Sequence, residues 1–156
     1  MSLVVLTWVM GAALAPSGDP PPSLVSIRIV TMQATLENRP SKLFDPEVEG
    51  MRAAVSDLEF DTYRTLNITT VSSQLNDETQ IQLTPKYTLY VTPLSRERNG
   101  HVRVSVRVEM PPREEGGKPV NAVSTTLVIG PGKQFKLRGL KNEDGELVIV
   151  ISLKKG

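Results

Sequence analysis

Imidazoles, thiols and paired carboxylates do most of the chemistry that side chains perform, and this chain is nearly without the first two. It has one histidine, His101, and no cysteine. That removes disulfides, thiol nucleophiles, cysteine zinc sites and any metal centre needing two imidazoles. His101 follows Asn99-Gly100 and falls on the polar side of an alternating segment. A lone imidazole becomes a general base only beside a nucleophile and an orienting group. No G-x-S-x-G or H-E-x-x-H spacing supplies them, so His101 reads as a solvated turn residue.

The acids fare little better. Asp57, Glu59 and Asp61 could provide the two carboxylates of a glycosidase. Such clefts also need aromatic walls, and the chain holds only three Phe, three Tyr and one Trp. With Glu47 and Glu49 upstream, the cluster reads as a solvated helix face. Asn142-Glu143-Asp144-Gly145 looks like part of a calcium loop, but Leu140 and Ile151 stand where an EF-hand requires acids. Hairpin chemistry explains it. Gly130-Pro131-Gly132-Lys133 looks like the end of a phosphate loop. Leu127 and Gln134 break that pattern, and a strand rather than a helix follows. Asn67-Ile68-Thr69 is an N-glycosylation triplet, with meaning only in a eukaryotic secretory pathway. No catalytic residue, cofactor site or metal site is assigned.

Binding is the remaining use for polar residues. Arg103 and Arg107 alternate with Ser105, a face that could hold an acidic partner or be paired across strands. Tyr63, Tyr87 and Tyr90 are the only residues suited to a sugar platform. Tyr87 and Tyr90 have opposite parity and face opposite ways, so one of them belongs to the core. The partner surface expected from sequence is thus Arg103, Arg107, Tyr87 and Tyr90. From Lys133 onward, six cations oppose three acids, and the whole chain carries a net charge of +1. That is too thin for a nucleic-acid footprint.

These residues need elements to hold them. From Leu24 the apolar pattern has period two: Val25, Ile27 and Ile29, then a change of phase to Val30, Met32 and Ala34. A bulge, or a strand covered on both faces, gives that pattern. Asp45 as cap, Pro46 at the first helical position and the stripe Val48, Met51, Val55, Leu58 predict one helix, ending near Leu58. Gly50 within it suits close packing on a sheet. Strands follow at 63–72, 78–84, 87–94, 101–110, 123–129, 135–137 and 146–153. The 87–94 and 101–110 segments make a hairpin through Asn99-Gly100. Val102, Val104, Val106 and Val108 face its core, and the unbroken run from Glu146 to Leu153 predicts a central strand. The expected architecture is mainly β: a single antiparallel β-sandwich, or partly open barrel, of about seven to eight strands with one helix inserted after the first.

Residues 1–18 carry none of the charges, which all lie between Asp19 and Lys155. Leu3 to Ala15 is a 13-residue run with Thr7 its only polar member, the length of a signal-peptide core and short of the roughly 20 residues that span a membrane. The sequence before it has no Lys or Arg, and Pro16 disfavours cleavage after Ala13-x-Ala15. Ala15-x-Ser17 and Pro16-x-Gly18 place cleavage near Ala15, Ser17 or Gly18. An uncleaved segment would be the chain's one link to a membrane. The domain organisation expected is a signal peptide over 1–18, a proline-rich linker over 19–23 (DPPPS) and a single β-rich domain over 24–156.

A Cys-free, leader-bearing chain with no catalytic template is expected to be an exported, periplasmic or extracellular, non-catalytic module. It would serve interaction or structure in a bacterial cell envelope and bind an envelope protein rather than nucleic acid. Docking would use strand addition at an edge such as 87–94, or charge pairing at Arg103 and Arg107. The alternative is a small-ligand or glycan module using the mouth of the sandwich and Tyr63, Tyr87 or Tyr90. A hydrolase of unfamiliar design stands third.

Overall fold

Alternate burial along Val25–Thr35 (β1) sets the architecture. Val25, Ile27 and Ile29 join one apolar cluster, and Val30, Met32 and Ala34 join another. Side chains of a strand alternate between faces, so both faces of β1 are covered and its own phase never slips. The irregularity lies in the neighbouring strand, where pairing shifts between Thr31 and Met32 and leaves Leu66 as the extra residue of a bulge.

The computed structural model describes residues 24–154. The expected leader, its cleavage positions at Ala15, Ser17 and Gly18, and the proline linker lie outside the described residues. After β1 come β2 (Leu43–Phe44), β3 (Thr62–Ser73), β4 (Thr79–Gln82), β5 (Thr88–Arg96), β6 (Val102–Met110), β7 (Val120–Ile129), β8 (Gln134–Asn142) and β9 (Gly145–Leu153). They form two sheets, ordered β2-β3-β1-β9-β8 and β4-β5-β6-β7. The arrangement is a sandwich rather than a closed barrel. All pairings are antiparallel except β2 with β3, a two-residue parallel ladder.

Between the sheets, Val102, Val104, Val106 and Val108 of β6 meet Ile27, Ile29, Leu147, Ile149 and Ile151 of the first sheet. Each fully buried aliphatic of this kind contributes about 1.5–3 kcal/mol relative to exposure. The β5–β6 hairpin runs from Thr88 opposite Glu109 to Arg96 opposite Val102. Its turn uses Asn99 at φ 71° and Gly100 at φ 77°, as asparagine–glycine turns require.

The predicted helix is only partly helical. Residues Pro46–Met51 form a 3-10 turn, and Arg52–Val55 a single turn of α-helix (α1). Asp45 makes no side-chain cap; its carboxylate accepts the backbone N–H of Thr65 on β3 at 2.8 Å. Gly50 meets nothing on the sheet, so it does not serve close packing. The segment lies on the outer face of the first sheet. There Val48, Met51, Val55 and Leu58 close over Val30, Met32, Val148, Val150 and Tyr63.

Candidate functional site

The imidazole of His101 is half-buried. It lies against Gly130, where an added Cβ would come within 2.9 Å of Nε2. Residues 130–133 form a tight turn, with Lys133 N–H donating to the Gly130 carbonyl at 3.1 Å and Gly132 at φ 72°. Asn142 and Gly145 close the β8–β9 hairpin, the ordinary role their sequence implied.

The three acids of the 57–61 segment have separate employments. Asp57 pairs with Lys136, and Glu59 lies 3.7 Å from Arg138. Asp61 is buried, which corrects the expectation of a solvated face. Its carboxylate accepts the backbone N–H groups of Glu37 at 2.8 Å and Arg39 at 2.9 Å, with the Thr62 hydroxyl at 2.9 Å. Those donors, the Glu37 N–H foremost, hold Asp61 below the usual carboxylate range. Asp61 therefore ties the chain after β1 to the start of β3. Among the described residues, no three acids or histidines converge as a metal site would need.

The tyrosines do not share a surface. Tyr63 is buried under the helical segment, stacked on Phe44 at 4.7 Å with its hydroxyl donating to the Val55 carbonyl at 3.3 Å. Burial pushes its phenol up to about 12. Tyr87 is 2% exposed and donates to the Lys141 carbonyl at 2.8 Å. It therefore leaves the expected partner surface: it joins the two sheets from inside. Tyr90 lies on the outer face of the second sheet, opposite Arg107, whose guanidinium stands 4.2 Å over the ring.

Both arginines are already paired. Arg107 holds Glu109 at 2.6 Å and Glu78 at 3.4 Å, and Arg103 holds Glu97 at 3.2 Å. An acidic partner would have to displace these carboxylates, so the face offers little net attraction. Nor is most of 87–94 an edge: Thr88–Val91 of β5 pair with β4 on one side and β6 on the other, and beyond them Pro93 has no N–H to offer and its carbonyl accepts the Asn76 N–H at 2.6 Å; β6 lies between β5 and β7. The expectation of strand addition at 87–94 is corrected over Thr88–Val91, where both sides of β5 are paired.

The true edges differ in their protection. Edge strands are normally kept from pairing by shortness, charge, proline or bulges. β4 has four residues. β8 carries Lys136, Arg138 and Lys141, with Gly139 at φ 90° inside a register shift. β7 is uncharged, and Val128 is its one large exposed apolar residue. β3, like β7, has an open outer edge. Its outer neighbour β2 pairs only with Thr62 and Tyr63, and Asp45 occupies the N–H of Thr65. From Leu66 to Ser73 the edge has no strand neighbour among the described residues. That stretch contains no charge and no proline, and it exposes Leu66 (45%) and Ile68 (37%).

Two hollows open among the described residues. One, of about 290 Å³, opens at the end of the sandwich between Leu24, Arg96, Val102, Pro131 and Leu153. It is the mouth expected from sequence, but none of the three tyrosines lines it. The other, of about 260 Å³, lies beside Tyr90 among Gln82, Pro85, Glu109 and Pro111. Both are at or below the lower end of small-molecule pockets, roughly 300–1,000 Å³. Compared with family models, curated proteins and solved structures, the chain matches none of them.

Proposed function

We propose that this is an exported, non-catalytic interaction module of the cell envelope, which docks an extended protein segment by strand addition. The observation that carries the reading is the open edge of β3 over residues 66–73. A bare strand edge offers a ladder of backbone donors and acceptors, and strand addition uses that ladder for affinity. The uncharged run Leu3–Ala15 supports export. The pairing of Arg103 and Arg107 with their own glutamates favours the edge over a charged face as the docking surface.

Fractionation and crosslinking test it. The protein is expected in the envelope fraction with its first residues removed, as read by mass spectrometry of the N-terminus. A photo-crosslinker at Leu66 is expected to form adducts in the cell that the same group at Arg138, on the protected edge, does not. Intact Met1 in a soluble cytosolic fraction overturns export. Equal adduct formation at both edges overturns strand addition at β3.

A further inference from the structure

Arg28 and Arg107 are the two half-buried arginines among the described residues; the others are exposed. Arg107 is matched by Glu109 at 2.6 Å and Glu78 at 3.4 Å. Arg28, on the strand at the middle of the first sheet, takes part in no ion pair among the described residues. Directly opposite it on the outer face stand Thr70 of β3 and Ser152 of β9. One row along, the hydroxyls of Ser26 and Ser72 bond each other at 2.9 Å. None of these is an acid, and the next charge on the chain after Ser152 is another cation, Lys154. A guanidinium presents five donors that suit a carboxylate, and a charge drawn part-way out of water is normally paired.

Thr70 separates Arg28 from the open edge. From Val25 opposite Ser73 to Thr31 opposite Asn67 the register of β1 on β3 is unbroken. The Leu66 bulge, β2 and the Asp45 contact all lie on the other side of Asn67. A strand added along residues 67–73 would run about 4.8 Å from β3, and two such spacings from β1. Its residue opposite Thr70 shares the outer face, so a carboxylate there meets Arg28 over one short side chain. The β7 edge has the same geometry, with Ser124 before Arg107 and Val128 before Arg103. Those two cations are held by their own glutamates. Of the two open edges, β3 is the one backed by an unmatched charge.

We infer that the segment docked on β3 carries an aspartate or glutamate opposite Thr70, and that Arg28 receives its carboxylate. The inference rests on the strand-addition reading and names the chemistry of the partner.

Selection of a displayed library of random twelve-residue peptides on the protein purified from the cell tests it. Peptides selected on the wild type are expected to share an Asp or Glu at one position and to crosslink to a photo-reactive group at Leu66. Arg28→Gln is expected to weaken them about tenfold, the loss of one charge-assisted bond, and Arg28→Lys to restore part of that. Exchanging the peptide's acid for its amide is expected to cost the same on the wild type and nothing further on Arg28→Gln. Without peptide, the urea midpoint of Arg28→Gln is expected at or above the wild type, because an unmatched cation has been removed. A lower midpoint reveals a partner within the chain and overturns the inference. Peptides that crosslink at Leu66 but share no acid, or bind Arg28→Gln equally well, also overturn it while leaving strand addition standing. No peptide crosslinked at Leu66 would remove both.

Discussion

Toward the second sheet, β1 and β9 present Ile27, Ile29, Leu147, Ile149 and Ile151; toward the 46–58 segment they present Val30, Met32, Ala34, Val148 and Val150. The two faces of one sheet are equally apolar, yet they are closed by different means. The inner face meets the four strands of the second sheet. The outer face meets a 3-10 turn, one turn of helix and a loop, pinned by side chains on backbone carbonyls. Lys42 reaches the Ser56 carbonyl at 3.0 Å and that of Leu58 at 2.7 Å. Lys136 reaches that of Ala54 at 3.2 Å, and Tyr63 that of Val55. A 3-10 turn has poorer hydrogen-bond geometry than a strand ladder, and these pins compensate for it. The comparison teaches that a buried face need not be a rigid one.

Four experiments would break or sharpen that contrast. The largest effect is expected from cavities. Ile149→Ala, on the inner face, should cost about 2–5 kcal/mol, with Met51→Ala on the outer face at or below the low end of that range because irregular chain relaxes into the space. Urea unfolding measures both, and equal losses would erase the distinction. Hydrogen exchange comes next. Amides of β9 should exchange only with global unfolding, whereas those of 48–58 should exchange through a cheaper local opening. Coincident exchange free energies would make the two faces one cooperative unit. Third, Tyr63→Phe and Tyr87→Phe each remove one hydroxyl bond, worth about 0.5–1.5 kcal/mol. The shorter bond of Tyr87, 2.8 Å against 3.3 Å, should cost more on removal.

The remaining effects are expected from pH. The folded carboxyl of Asp61 is held below its ordinary value. Its contribution is complete above the unfolded pKa and is lost as pH falls through the lower folded one. Acid should therefore loosen the 36–40 loop, and Asp61→Asn should flatten the acid limb of the stability profile. Tyr63 gives the opposite sign. Its folded pKa of about 12 lies above the ordinary phenol value of 10, so stability falls as pH rises from 10 to 12. An alkaline limb unchanged by Tyr63→Phe would contradict that assignment.

Much of the sandwich was legible because period-two burial leaves a direct trace in sequence. Val102, Val104, Val106 and Val108 are all in the core, and the apolar run of β9 occupies a central, doubly covered strand. The helix was legible in its stripe and not in its geometry. Residues at i and i+3 share a side of a 3-10 turn as well as of an α-helix, so Val48 and Met51 carry the same signal for both. Asp45 was misassigned as a cap because its acceptor role depends on Thr65, 20 positions away. β2 is too short to show any period. The edge of β3 could not be read at all. The absence of charge from Leu66 to Ser73 is plain in the sequence, but an edge is a property of strand order, which local pattern does not encode. His101 and Tyr87 reflect the same limit: their neighbours, Gly130 and Lys141, come from other strands and turns.

The pairing of β1 with β9 carries one more consequence. Ile27 lies opposite Leu153, and the N–H of Lys154 donates to the Ser26 carbonyl at 2.9 Å. The start of the first strand and the end of the last therefore leave the same sheet side by side. Tension applied through residues 25 and 154 would load that ladder one rung at a time, peeling it like a zipper instead of shearing all its bonds together. A domain so threaded yields at low force. As a link in a stretched assembly it would act as a mechanical fuse, opening at its two central strands while the second sheet carries no load.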